Sequence, residues 1–368
     1  MFDRLPEYPW EKLKPYRETA AKHPEGAIDL SVGNPIDPTP EIIQSALDAA
    51  SNSPGYPTTW GEVSARKAVA DWYSERRRTA NLGPENILLT IGSKEFISWL
   101  PLMLGLGAED AVVQPTLAYT AYQVGAAFAG AQLVESDDPA KWPDNTKLVW
   151  LNSPGNPNGS VLSVEKLKAA VARARELNAV IVNDECYAEM GWNAPWEPYI
   201  PCILDADVTG GDISNILSIY SLSKQSNLAG YRAAFAAGDS LLIKGLVNLR
   251  MHSGMMVPMP VQKAIAAALA DHTHVKLQKE IYRKRREVLL PALLAYGFEV
   301  RDSEAGLYLW VTKGRPCWET ISELAEIGII AVPGEFYGQA GAKYVRFSIT
   351  ATDEEIQRAA ARLENGLG

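Results

Sequence analysis

The sequence predicts an α/β protein: a mostly parallel sheet between helices, joined to a smaller α+β domain. Three observations predict it. Short β-branched runs alternate with helical stretches through the middle of the chain. The last third changes to one long charged helical stretch followed by closely spaced strands. The 368 residues, 47% of them hydrophobic, suffice for two cores at about 150 residues per domain.

The elements follow in order. Residues 1–14 mix charges, prolines and aromatics and lack the apolar stretch of a signal peptide. Ala65, Ala68, Val69, Trp72 and Tyr73 recur at i, i+3, i+4, i+7 and i+8, which is one helix face. Residues 87–91 are a first buried strand, ending at Gly92. The most apolar stretch, 96–108, contains Pro101 and is too short to cross a bilayer, so a buried helix is expected. Residues 111–113, 148–151, 179–182 and 216–220 are four further strand-like runs. Ser163 can cap a helix carrying Val164, Leu167, Val171 and Ala174 on one side. Such alternation implies helices on both faces of the sheet, and ligands of such sheets gather at the carboxyl ends of the strands.

A helix is expected over 274–295, strands over 298–301, 307–311, 329–332 and 344–349, and a final helix over 353–367. The expected division is a large domain of residues 51–270 and a small discontinuous one of residues 1–50 and 271–368.

Acidic residues outnumber basic ones, 44 to 35, for a formal net charge of −9. That argues against a broad nucleic-acid face but leaves room for a local anion pocket. Cys186, Cys202 and Cys317 stand far apart, with no CxxC pair. His272 and His274 form an HxH that no nearby cysteine completes, so neither a disulfide scaffold nor a metal site is expected. A reduced, cytoplasmic setting fits, with neither membrane nor nucleic acid as a partner.

Five pieces carry chemistry. Lys224 follows the run 216–220 within Ser221-Leu222-Ser223-Lys224, and Arg232 lies eight residues on. A lysine at a strand end between small hydroxyl residues suits Schiff-base chemistry, although alone it reads as an ordinary surface lysine. Asn183-Asp184-Glu185-Cys186-Tyr187 ends the run before it. Polar residues buried there need partners. Asp184 is either a partner for a pyridinium nitrogen or a helix cap. The turn cluster Asn152-Ser153-Pro154-Gly155-Asn156-Pro157-Asn158-Gly159 is either a plain loop or one that presents Asn156 to a phenolic oxygen. Gly92-Ser93-Lys94-Glu95 opens a helix after a strand, where backbone N–H groups can receive an anion. Arg346 sits in the apolar run Tyr344-Val345-Arg346-Phe347-Ser348, facing either solvent or a carboxylate.

Taken in order and spacing, these pieces resemble the class I/II aminotransferases, pyridoxal-5′-phosphate (PLP) enzymes of fold type I. The resemblance runs along essentially the whole chain. Within that family the chain looks like the actinobacterial type of N-succinyldiaminopimelate aminotransferase. That likeness rests on Leu5-Pro6-Glu7-Tyr8-Pro9-Trp10, Asp29-Leu30-Ser31-Val32-Gly33, Pro54-Gly55-Tyr56-Pro57, Asp184-Glu185-Cys186-Tyr187, His252-Ser253-Gly254-Met255-Met256-Val257-Pro258 and Gly306-Leu307-Tyr308-Leu309-Trp310.

The resemblance implies a seven-stranded sheet in the large domain and a role for each matched residue. Lys224 matches the lysine that holds PLP and moves the substrate proton. Asp184 matches the partner of the pyridine nitrogen, and Asn156 and Tyr187 the donors to the phenolic oxygen. Ser93, Lys94, Ser221, Ser223 and Arg232 match the phosphate cradle. Tyr119 takes the ring-stacking role, with Thr120 where the family often has proline; a core aromatic is the alternative. Gly33 and Arg346 match carboxylate-binding positions, with Asn156 beside them. Tyr56 matches a tyrosine that reaches the neighbouring subunit's phosphate, which implies a homodimer with shared sites. The implied substrates are small amino and oxo acids: glutamate as donor and N-succinyl-2-amino-6-oxopimelate as acceptor. An aspartate or aromatic aminotransferase, or a PLP-dependent C–S lyase, would keep Lys224, Asp184 and Arg232.

Overall fold

A computed structural model describes residues 9–79 and 82–366. The first four residues of the N-terminal motif, Leu5 to Tyr8, and the last residue of the final expected helix, Leu367, lie outside them. Thirteen strands are present among the described residues: β1 Ile28–Asp29, β2 Ile87–Ile91, β3 Ala111–Gln114, β4 Gln132–Glu135, β5 Thr146–Asn152, β6 Val180–Asp184, β7 Ile216–Ser221, β8 Ala233–Gly238, β9 Glu299–Val300, β10 Tyr308–Thr312, β11 Ile329–Ile330, β12 Val332–Pro333 and β13 Tyr344–Ser348.

The large sheet has seven strands in the order β2-β8-β7-β6-β5-β3-β4. Every neighbouring pair is parallel except those of β8, which runs antiparallel to both β2 and β7. The carboxyl ends of β2, β5, β6 and β7 and the start of β8 therefore lie along one edge. That is where a doubly wound sheet receives its ligand.

Two of these strands escape the sequence pattern. β8 is Ala233-Ala234-Phe235-Ala236-Ala237-Gly238, all buried, and alanine is a poor strand former by propensity. It is held as a strand by ladders on both sides. β4 is a short edge strand with mostly exposed residues, so it lacks the apolar run that marks a buried strand.

The helices that matter for the site are α1 Lys14–Ala20, α2 Glu41–Ala49, α3 Val63–Arg77, α4 Ser93–Met103, α5 Ala121–Ala129, α6 Val164–Glu176, α7 Ala206–Thr209, α8 Ser240–Ser253, α9 Met259–Ala270 and α10 Thr273–Ala295. The Ser163 hydroxyl caps α6 by accepting from the Lys166 N–H. α4 is buried on one face only, since Trp99 and Leu102 reach the surface. Its Pro101 has no N–H for the Ile97 carbonyl. Gly125 of α5 passes beside that carbonyl, where a Cβ would come within 2.9 Å of the oxygen.

A second sheet, β12-β13-β10-β9, is antiparallel, and β1 pairs in parallel with β11. Leu13, Ile28 and Leu30 pack with Leu309, Ile329 and Phe347 in one core, whereas Ile43 of α2 belongs to the core of Val69 from α3 and Leu89 from β2. Cys186, Tyr187, Met190 and Trp192 also send side chains into the second core. No helix among the described residues is long and apolar enough to cross a membrane. His274 is tied between Asp271 (2.7 Å) and Ser226 (2.8 Å), which holds the segment after Lys224 against the start of α10.

Candidate active site

A cavity of about 320 Å³ opens along the carboxyl edge of the large sheet, beneath the second sheet. Of the residues expected at the site, Gly33, Ser93, Lys94, Tyr119, Asn156, Asp184, Tyr187, Ser221, Ser223, Lys224, Arg232 and Arg346 all line it. Tyr56 does not; it stands 97% exposed on the surface.

At one end, β7 stops at Ser221 and the chain turns through Ser223. The two hydroxyls meet at 2.8 Å, and the Ser223 N–H donates to the Ser221 hydroxyl. Arg232, at φ +57°, precedes β8 and donates to the Ala229 carbonyl at 2.7 Å. Its guanidinium pairs with no carboxylate among the described residues and lies against the start of α4. A Cβ at Gly92 would come within 2.0 Å of Arg232 Nη2, and Gly92 also adopts φ +75°, so glycine is required there twice over. Arg250 clamps the first turn of α4 through a two-pronged pair with Glu95 (2.6 and 3.1 Å). Free helix N–H groups, two hydroxyls and an unpaired guanidinium form a cradle for a phosphate.

The floor is Asp184, at the end of β6. It caps no helix. Its carboxylate accepts from the Tyr122 hydroxyl at 2.9 Å and from the Cys186 N–H at 3.2 Å. Burial raises its pKa against those hydrogen bonds. Asn183 and Glu185, on either side, are both satisfied. Glu185 pairs with buried Arg77 at 2.7 Å and accepts from Asn183 and from the Ile203 N–H. The cost of burying three consecutive polar side chains is thus met by partners.

Lys224 projects into the middle of the cavity, where Nζ donates to the Gly33 carbonyl. Burial lowers its pKa, with Tyr308 and Cys186 opposing. Asn152 shapes the following loop by accepting from the Asn156 N–H at 2.8 Å. That places the Asn156 side chain beside Arg346, which donates to its Oδ1 at 2.8 Å.

Arg346 closes the other end. It is 3% exposed, donates also to the Ser31 carbonyl at 2.7 Å, and has no carboxylate partner among the described residues. Its Nε is buried without any acceptor. The guanidinium lies over the Tyr308 ring at 3.8 Å and near that of Tyr337 at 5.0 Å. A buried cation held by neutral groups is a ready seat for a carboxylate.

Tyr119 lines the wall, edge-on to Tyr122 at 6.0 Å, and burial raises its hydroxyl pKa. The Tyr187 hydroxyl meets that of Tyr308 at 3.1 Å. Sequence reasoning did not single out Tyr122, Tyr308 or Tyr337 as site residues. Tyr308 stands within the motif Gly306 to Trp310, but it and Tyr122 look like core aromatics, because their partners are far away in the chain.

This donor set fits PLP. The cradle suits its phosphate, the buried Asp184 carboxylate suits a ring nitrogen, and a deprotonatable buried lysine suits its aldehyde carbon.

Comparison with known proteins agrees. Residues 25–363 match the family described as Aminotransferase class I and II. The chain is 49% identical over 360 residues to the 4-dedimethylamino-4-oxo-anhydrotetracycline transaminase OxyQ of Streptomyces rimosus, a match covering 98% of this chain and 99% of that one. It is 33% identical to the LL-diaminopimelate aminotransferase of Aquifex aeolicus, over 98% of this chain and 97% of that one. Among solved structures it is similar to an aminotransferase from Neisseria meningitidis, with a TM-score of 0.88, 28% identity, and coverage of 100% and 98%. Matched along nearly its whole length, and carrying a cavity chemically suited to the cofactor, the chain belongs to the class I and II aminotransferases and is a PLP-dependent enzyme.

Proposed function

We propose that this enzyme carries an amino group from glutamate to N-succinyl-2-amino-6-oxopimelate, giving 2-oxoglutarate and N-succinyl-LL-2,6-diaminopimelate for lysine and diaminopimelate biosynthesis. The observation that carries a carboxylate-bearing substrate is Arg346, buried and without an acid partner among the described residues. The named acceptor is supported by the motif resemblance and by a relative that acts, by its name, on diaminopimelate.

In this reading Ser221, Ser223, Arg232 and the backbone of Ser93 and Lys94 hold the phosphate of PLP. Asp184 faces the ring nitrogen, Asn156 and Tyr187 the phenolic oxygen, and Tyr119 the ring. PLP, when bound, supplies an electron sink for the bond broken at the substrate α-carbon. Lys224 Nζ takes that proton and returns it. Its lowered pKa raises the share of neutral amine available as a base. Arg346 fixes the substrate carboxylate and so orients the α-carbon toward Nζ. The roof of the second sheet and its tyrosines keep water from the reacting atoms. Tyr56, exposed and outside its own cavity, reaches a neighbouring subunit's phosphate, so the working unit is a homodimer.

A broader aminotransferase is the second reading. It is favoured by the relative named for a tetracycline intermediate. The test is an absorbance titration of the PLP-loaded enzyme with N-succinyl-LL-diaminopimelate, glutamate and aspartate in parallel. Conversion to the pyridoxamine form at low N-succinyl-LL-diaminopimelate, with a weaker aspartate response, supports the named substrate. A response to glutamate or aspartate alone keeps the aminotransferase and discards that acceptor. Release of pyruvate and ammonia would point to a lyase instead.

A further inference from the structure

Tyr308 belongs to no role assigned above, yet it touches three of them. It opens β10, whose register with β13 pairs Tyr308 with Ser348 and Trp310 with Arg346. Tyr308 and Arg346 are thus diagonal neighbours on one face of an antiparallel pair, close enough for a ring to meet a guanidinium. They meet at 3.8 Å from centroid to Cζ. The ring is 4% exposed. Its hydroxyl lies 3.1 Å from that of Tyr187. It also presses on Gly33, where a Cβ would sit 2.1 Å from the Tyr308 oxygen; the carbonyl of that same residue receives Lys224 Nζ. Glycine at 33 is therefore a packing requirement of the Tyr308 phenol.

We propose that Tyr308 is a positioning residue with two separable parts: its hydroxyl competes with the cofactor's phenolic oxygen for the Tyr187 O–H, and its ring holds the plane of Arg346 for the substrate carboxylate. The inference rests on the PLP-dependent reading of the cavity and adds a residue to it.

The electrostatics agree with the geometry. Burial opposes ionisation of Tyr308, but Arg346 and Lys224 outweigh it and hold its hydroxyl below the ordinary tyrosine range. Tyr187 behaves in the opposite way, pushed up by burial and by Tyr308 itself. Between two hydroxyls of such different acidity, the shared proton has a preferred place. Beside two cations, Tyr308 is the oxygen better able to hold negative charge, so it accepts and the Tyr187 O–H donates to it. While the two hydroxyls are engaged with each other, Tyr187 is a weaker partner for the cofactor's phenolic oxygen. The titratable groups that bear on Tyr308 are Tyr187, Lys224, Arg346, Tyr119, Tyr337 and Tyr282. Of these Tyr187 meets its oxygen hydroxyl to hydroxyl, at 3.1 Å.

Two substitutions separate the parts. Tyr308→Phe keeps the ring and removes the hydroxyl. Tyr308→Leu removes both. The readouts are the pH midpoint of the cofactor's visible absorption band and the binding of glutarate, a dicarboxylate with no amino group to react. Tyr308→Phe frees Tyr187 to donate to the phenolic oxygen. The midpoint should then fall by roughly half to one pH unit, one ordinary hydrogen bond's worth. Glutarate affinity should stay near that of the unaltered enzyme. Tyr308→Leu should weaken glutarate binding by about three- to tenfold, the range of a partly desolvated cation–π contact. Phenylalanine thus restores what leucine loses in carboxylate binding, but not the midpoint. An unchanged midpoint in Tyr308→Phe overturns the hydroxyl part, and unchanged glutarate binding in Tyr308→Leu overturns the ring part. Should Tyr308→Leu fail to fold, the Phe variant alone still decides the hydroxyl part, and Tyr308→Met, which removes the ring while filling its space, takes leucine's place with the same loss of glutarate binding expected. Absence of any visible band in the unaltered enzyme supplied with PLP would instead sink the cofactor reading on which the inference stands.

Discussion

The two ends of the cavity each hold an arginine, and they are built in opposite ways. Arg232 is exposed, tethered by one backbone carbonyl, and surrounded by hydroxyls and the free N–H groups of α4. Arg346 is sealed under the second sheet, with two neutral acceptors, two tyrosine faces and an orphaned Nε. Near water a single ion pair is weakened by the high dielectric, so an anion there is held by many donors together. Under the sheet one carboxylate gains far more from one guanidinium, because no water competes. The first arrangement suits a phosphate that stays, and the second a substrate carboxylate that must arrive, be read and leave.

Four experiments break or sharpen that contrast. The largest effect is expected from Lys224→Ala, because Nζ stands between the two ends. It should abolish both the visible cofactor band and transamination. Full activity in that variant would mean that the two arginines do not serve one reaction. Next is Arg346→Ala, which removes a buried charged contact and should cost about 2–5 kcal/mol in kcat/KM, mostly as a raised KM. Unchanged saturation with glutamate would place the carboxylate elsewhere.

Gly92→Ala probes the exposed end without touching a charge. The new Cβ would collide with Arg232 Nη2 and sit on a backbone at φ +75°. Displacing that guanidinium should weaken PLP retention by about tenfold in equilibrium dialysis, with substrate KM in the reloaded enzyme nearly unchanged. Equal retention would show that the phosphate is held without Arg232.

The smallest effect concerns pH. Burial lowers the Lys224 pKa in the folded protein. Between that lowered value and the ordinary lysine value of about 10.4, the unfolded chain binds more protons than the folded one. Lys224 therefore adds a term to apoprotein stability that grows as pH rises through this window. Replacing it by methionine should flatten that part of the melting-temperature profile. An identical profile would show that Nζ is not desolvated in the apoprotein.

The legible parts of this protein are those whose signal is local. Gly92, Asp184, Asn156, Ser221 and Lys224 follow strand-like runs, and a parallel sheet puts all such ends on one edge. β8 was not legible, because an alanine run carries no strand signal and becomes a strand only between β2 and β7. Tyr122 and Tyr308 were equally hidden as site residues. Each looks like a core aromatic until its partner, 62 or 121 residues away in the chain, is brought alongside. Tyr56 was readable as a motif, yet its place is outward, 97% exposed.

The sequence by itself determined the alternation of strands and helices, the turn chemistry at their ends and the types of residue placed there. Those follow from backbone sterics and from the period of the apolar side chains, which are properties of neighbours in the chain. Only the tertiary structure decided which charges are paired and which are left for a ligand. Arg77 and Arg346 are both buried arginines; the fold gives one a carboxylate at 2.7 Å and the other none among the described residues. That difference depends on how the second sheet lies over the first, because solvent exclusion and the choice of partner are set by surfaces that meet across hundreds of residues.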